Sequence, residues 1–199
     1  MKKHTWLFAL GAVLVVLGGV LIYVGHTGNK GSLESVRTTE APWPADADHL
    51  KDRLTAIGLP ALTTEGQALH IHQHLDMVIH GKAMEVPTEI GIHEGAGGFI
   101  ASVHTHDTSG IIHVESPTVE SFHLGQFFDI WGVRLTTSCI GGYCTDATNT
   151  LTFYVNGAKY EGDPRNIELT KHEELVVVYG AATEAPATIP ATYAFPDGY

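Results

Sequence analysis

The stretch "LHIHQHLDMVI", residues 69–79, restricts the fold most, because polar and apolar side chains alternate along it. Side chains two positions apart in a β-strand point to the same face of the sheet. The alternation predicts a strand with one face toward a core and the other face polar. The residues on the polar face are His70, His72, His74 and Asp76. The residues on the apolar face are Leu75, Met77 and Ile79.

The strand leads into a two-residue turn that recurs later in the chain. His80-Gly81 follows the first strand, and Asn156-Gly157 follows "LTFYV". Both dipeptides suit the positive φ angles of a type I′ hairpin turn. Each unit then continues to a further apolar strand, "GGFIASVH" in the first and "ELVVVYG" in the second. The match predicts a duplicated hairpin-and-strand unit; the alternative is chance similarity, since hairpins share turn chemistry.

An aromatic helix is predicted between the two units, in "SFHLGQFFDIWG", where Gly132 supplies the stop. Its apolar residues are spaced i, i+3, i+4, i+7 and are Leu124, Phe127, Phe128 and Trp131. A shorter helix is predicted in "ADHLKDRLTAIG". We therefore expect a mainly β (α+β) fold: an antiparallel sheet or sandwich of β-hairpins with one amphipathic aromatic helix, preceded by an N-terminal transmembrane helix.

The transmembrane prediction rests on an uncharged run of 19 residues, from Trp6 to Val24, that follows Lys2 and Lys3. This length approaches that of a membrane-spanning helix, and the lysines place the rest of the chain outside the cytoplasm. A cleaved signal peptide is the alternative. The predicted organisation is an anchor (1–25), a flexible linker (26–45), an extracytoplasmic His-rich β domain (46–180) and a Pro/Ala-rich tail (181–199).

Composition excludes some functions and bears on the cysteines. The 199 residues include 11 basic and 22 acidic side chains, which argues against a nucleic-acid partner. The length excludes an eight-stranded α/β barrel.

Cys139 and Cys144 are expected to form a small disulfide loop outside the cytoplasm, with two thiolates for a soft metal as the alternative.

A second histidine cluster lies in "ASVHTHDTSGIIHVES", residues 101–116. A hairpin with residues 107–110 as its loop places His104 directly across from His113, with His106 on the same face. Imidazoles held on rigid strands are good ligands for copper and zinc. We therefore predict a metal site with His104, His106 and His113, and extend it to His70, His72 and His74. Strand order decides whether the two clusters share one site.

Two acidic residues flank the second cluster. Asp107 and Glu115 are weak candidates for proton transfer or for orienting the imidazoles, although Asp107 also suits a turn-capping role. The first functional hypothesis is copper or zinc capture, buffering or delivery at the cell envelope. The alternatives are a His-ligated metalloenzyme that activates water or oxygen, and a metal-free module with pH-sensitive histidines that binds an envelope protein or a second copy of the chain.

Four motifs together resemble a group of uncharacterised membrane-anchored or exported prokaryotic proteins. They are "HIHQHLDMVIHGK", "VPTEIGI", "VHTHDTSGIIHVESP" and "FHLGQFFDIWG". The similarity covers residues 68–180. It implies a location outside the cytoplasm and a shared histidine pattern.

Overall fold

A computed structural model describes residues 36–199. The predicted anchor and the first half of the predicted linker lie outside this range. Within it, no helix has both the length and the apolar character needed to cross a membrane. The two α-helices are α1 (Leu50–Ile57) and α2 (Leu124–Trp131). The strands are β1 (Leu69–Ile79), β2 (Lys82–Met84), β3 (Ile92–His93), β4 (Phe99–Ile100), β5 (Val103–His104), β6 (Ile111–Ser116), β7 (Cys139–Ile140), β8 (Tyr143–Cys144), β9 (Asn149–Val155), β10 (Ala158–Tyr160) and β11 (Glu174–Ala181).

Seven strands form the main sheet, in the order β10-β9-β11-β1-β6-β5, with β2 also paired to β1. The two small sheets in the described region are β3-β4 and β7-β8. The predominance of β structure is confirmed, and so are both predicted helices. The prediction of an antiparallel sheet is wrong at one position, because β1 and β11 run parallel. These strands meet across about 100 residues of sequence, so no hairpin turn sets their direction.

Both predicted hairpin turns are present. His80 and Gly81 have φ of 49° and 72°, and Asn156 and Gly157 have φ of 50° and 79°. The turns connect β1 to β2 and β9 to β10, both antiparallel. The third strands of the two units differ, because β11 pairs with β9 whereas β5 pairs with β6. The internal similarity therefore extends to the hairpins and not to the strand that follows them.

The apolar face of the sheet and α2 enclose the hydrophobic core. The core residues from α2 are Leu124, Phe127, Phe128, Ile130 and Trp131. Those from β1 are Leu75, Met77 and Ile79, as the alternation predicts. The chain before α1 also contributes, because Trp43 is 3 % exposed and lies edge-on to Trp131. Because the core occupies only this face, the histidines of β1 and β6 lie on the opposite face.

Candidate metal centre

Strand β6 brings the two predicted histidine clusters together. It pairs with β1 on one side, where His113 is opposite His72, and with β5 on the other side, where His113 is opposite His104. The predicted cross-strand pairing of His104 and His113 is thus present. Glu115, two residues along β6, lies opposite His70. We call the resulting set the histidine cluster; its members are His70, His72, His104, His106, His113 and Glu115.

The hairpin that carries β5 and β6 needs a glycine to reach this position. Gly110 has a φ of 86°, in the left-handed region that favours glycine. A Cβ atom there would lie 2.7 Å from the carbonyl oxygen of Leu75. The Gly110 carbonyl accepts a hydrogen bond from the Leu75 amide at 2.9 Å, which joins the loop to β1. Residue 110 therefore fixes how close the second cluster comes to the first.

Pairs of imidazole nitrogens face each other at both edges of the histidine cluster. The Nε2 atoms of His70 and His72 are 3.2 Å apart. The Nε2 atoms of His104 and His106 are 3.1 Å apart. Each pair is an H-x-H segment. His70 and His72 lie within β1, whereas His104 ends β5 and His106 follows it. Two similar nitrogen pairs therefore lie on either side of the β6 residues His113 and Glu115.

Burial keeps part of the cluster uncharged. His72 and His104 are 4 % and 0 % exposed. Burial, reinforced by the neighbouring imidazoles, lowers the pKa of each to about 4. Both rings are thus neutral at neutral pH, which is the form that binds metal ions. His70 and His106 are the accessible members, with side chains 48 % and 40 % exposed.

Hydrogen bonds orient two of the rings. His104 Nδ1 donates to the Ala101 carbonyl at 2.9 Å, which leaves its Nε2 lone pair directed at the cluster. His113 Nδ1 lies 3.3 Å from Glu115 Oε1, and His70 Nε2 lies 3.2 Å from the same oxygen. A metal-binding histidine commonly donates its second ring nitrogen to a carbonyl or carboxylate in this way. His104 on β5 and His113 on β6 are therefore both held in orientation by a hydrogen bond from Nδ1.

Glu115 is 3 % exposed. Burial alone would raise its pKa, but the hydrogen bond with His113 and the nearby imidazoles lower its pKa to about 2. Its Oε2 and the Nδ1 of His72 are buried with no hydrogen-bond partner in the described part of the chain. Such atoms are costly unless a water or an ion satisfies them. These two atoms belong to the histidine cluster, and three further buried atoms without a partner lie elsewhere in the described region.

Two groups of four metal-ligand residues occur within the cluster. One contains His70 and His72, the other contains His104 and His106, and both include His113 and Glu115. In each group the ligand atoms lie within 4.8 Å of one another. The sequence placed Glu115 beside the site as a weak proton-transfer candidate. Its position opposite His70, which depends on the pairing of β1 with β6, could not be read from the sequence.

His74 lies apart from these groups, although it shares their face of β1. Its Nδ1 is 2.9 Å from Glu174 Oε2, and its Nε2 is 2.9 Å from the Ser109 carbonyl. Burial lowers its pKa, but the Glu174 carboxylate outweighs burial, so the pKa is raised. Tyr193 stacks on the ring at a centroid distance of 3.7 Å. A third group that could hold a metal ion forms here, consisting of His74, Asp76 and Glu174. The predicted ligand His74 thus belongs to a separate group.

The remaining candidates take structural positions. Asp107 Oδ1 accepts a hydrogen bond from the Ser109 amide at 2.8 Å, the contact expected of a turn-capping residue. The predicted disulfide between Cys139 and Cys144 is present and joins β7 to β8. It is remote in sequence from the histidine cluster.

The C-terminal segment covers part of the histidine face, which sequence reasoning missed. The Tyr199 ring lies 4.5 Å from the ring of His72 and 5.5 Å from that of His113, measured between centroids. His172 Nε2 donates to the Tyr199 carbonyl at 2.9 Å and so holds this segment in place. Two tyrosines in an otherwise Pro/Ala-rich tail were the available signal.

Comparison with known proteins finds no matching family model, no significantly similar curated protein and no significantly similar solved structure. The geometry of the site therefore carries the functional argument.

Proposed function

We propose that this protein binds a transition metal ion, copper or zinc, through the histidine cluster, for metal capture, buffering or delivery on the outer side of a membrane. The observation that carries the proposal is the pair of facing imidazoles at each edge of the cluster, 3.1 Å and 3.2 Å apart between Nε2 atoms. Two nitrogens bound to one tetrahedral zinc at its usual bond length lie about 3.3 Å apart. The nitrogens therefore need little rearrangement to hold an ion.

Chemistry of the donors supports the same proposal. Imidazole suits both zinc and copper, and the buried rings of His72 and His104 are neutral at neutral pH. An ionised, buried carboxylate adds negative charge that a cation would neutralise. Rigid strands hold four of the five imidazoles, which limits the entropy lost on binding. The donors do not discriminate between the two metals.

Location is supported by two features. The disulfide between Cys139 and Cys144 is typical of proteins outside the reducing cytoplasm. The 19-residue apolar run preceded by two lysines is typical of an anchor whose following domain is exported. These features support single-pass attachment with the metal site outside the cytoplasm. N-terminal sequencing of the mature protein should begin before residue 25; a start after it would replace the anchor by a cleaved signal.

The test is a competition titration with zinc and with copper, using chelators of known affinity and the full chain in detergent. The wild type should retain metal against the chelator, and the His104→Ala, His113→Ala double variant should lose it. The matched control is His49→Gln, since His49 is an exposed histidine far along the chain from the cluster. Circular dichroism verifies that each variant is folded.

Two outcomes would reject the proposal. Weak binding that the double variant leaves unchanged would mean that His104 and His113 do not hold the ion. Absence of binding in the wild type, together with a pH-dependent change in association with itself or with a membrane partner, would favour the metal-free pH-sensitive module instead.

A further inference from the structure

The histidine cluster offers more donors than one ion uses. It contains five imidazoles and one carboxylate, whereas zinc is almost always four-coordinate and copper sites take few more ligands. A single ion would leave at least one of these buried or half-buried donors without a metal to bind. The remaining donors could form a second metal-binding position.

The donors divide evenly about β6. On the β1 side, His70 and His72 form one nitrogen pair; on the β5 side, His104 and His106 form the other. Each pair makes a four-residue group with the same two β6 residues. His113 is opposite both His72 and His104, so it lies between the pairs. The arrangement is thus H-x-H, H-x-E and H-x-H on three adjacent segments.

Glu115 has the geometry of a shared ligand. Its Oε1 lies 3.2 Å from His70 Nε2, on the β1 side of the cluster. Its Oε2 is buried and has no hydrogen-bond partner in the described region. A carboxylate supplies two oxygens, and leaving one of them buried and unpartnered destabilises the folded protein. A cation bound within the histidine cluster would satisfy this oxygen.

From this arrangement we infer that the histidine cluster is a two-metal centre, in which each H-x-H pair holds one transition metal ion and the Glu115 carboxylate bridges them. His113, whose Nδ1 lies 3.3 Å from Glu115 Oε1, offers its Nε2 as a further ligand to one of the two positions. The inference rests on the proposed function, because it concerns the same cluster, and it adds the number of ions and the role of each strand.

The experiment uses two matched variants, His70→Ala and His106→Ala. Each removes one half-exposed imidazole, 48 % and 40 % exposed, from opposite ends of the cluster, so neither opens a cavity in the core. The full-length protein in detergent is dialysed against chelator-buffered zinc, and bound zinc per chain is measured by elemental analysis. Circular dichroism verifies the fold, and His49→Gln is the control.

We expect two zinc ions in the wild type and in the control, and one in each single variant. A variant that carries both His70→Ala and His106→Ala should hold none or one weakly bound ion. X-ray absorption of the wild type should show a metal–metal distance of about 3.5 to 4 Å, which both single variants lose. Glu115→Gln should lower the affinity of both positions together.

One zinc ion in the wild type, lost in either single variant, would overturn the two-metal inference while leaving the proposed function intact. Two ions without a metal–metal distance, or two ions that persist in both variants, would also overturn it. No bound zinc or copper in the wild type would reject the proposed function itself.

Discussion

Metal-free protein should lose stability on acidification because His72 and His104 are held neutral. The pKa of each is lowered from 6.5 to about 4 by burial and by neighbouring imidazoles. The unfolded chain therefore binds more protons than the folded chain between these values, and stability falls as the pH falls through this window. The loss levels off below about pH 4, where the folded rings also protonate.

The magnitude follows from the shift. A lowering of about 2.5 pKa units corresponds to about 3 kcal/mol for each ring over the whole titration. Between pH 6 and pH 4.5 the two rings together should cost about 3 kcal/mol. Glu115 adds a smaller loss in the same direction, because its lowered pKa stabilises the folded state only while it is ionised. His74, with a raised pKa, titrates above this window.

The assay is urea unfolding of the metal-free protein at pH 6 and at pH 4.5, monitored by circular dichroism in the presence of a chelator. The His72→Gln, His104→Gln double variant should lose about 3 kcal/mol less than the wild type between the two pH values. His49→Gln should behave as the wild type does. If the double variant loses as much stability as the wild type, the two rings are not held neutral in the folded protein and the reasoning is wrong.

Three further predictions concern neighbouring features. Glu174→Gln should lower the pKa of His74, measured by NMR titration, because the Glu174 carboxylate raises it. The variant should also lose the stability that protonated His74 provides below pH 6.5 and that the wild type loses as the pH rises through the raised pKa of His74. An unchanged pKa would show that Glu174 is not the cause of the raised pKa. Reduction of the bond between Cys139 and Cys144 should cost about 2 kcal/mol, because it closes a loop of only six residues; a loss above about 4 kcal/mol in chemical denaturation would indicate another role. Gly91→Ala should destabilise the fold by about 2 kcal/mol or more and weaken metal binding, since Gly91 has a φ of 79° and its Cβ would lie 2.7 Å from the Val103 carbonyl oxygen; unchanged thermal unfolding would contradict this.

The sequence predicted two features of the site that depend on residues close together in the chain. The alternation in β1 put His70 and His72 on one face, and the hairpin loop ending at Gly110 set His104 opposite His113. The first follows from the two-residue repeat of a strand and the second from the length of the hairpin loop, and both can be read from a short stretch of sequence.

Long-range pairing was not predictable in the same way. The position of β6 between β1 and β5 makes the two clusters one, and it depends on which of several apolar strands lie side by side. The same is true of the parallel pairing of β1 with β11. The sequence placed Glu115 beside the second cluster, but its approach to His70 depends on the pairing of β1 with β6. The approach of Tyr199 to His72 depends on the path of the C-terminal segment.

Crystallography of metal-loaded full-length protein, with anomalous diffraction recorded at the zinc and copper absorption edges, tests the central claim most directly. We expect anomalous density between β1, β6 and β5, with histidine nitrogens at about 2.0 to 2.1 Å from the ion. Anomalous density found elsewhere, at His74 and Glu174 for instance, with none in the histidine cluster, would contradict it.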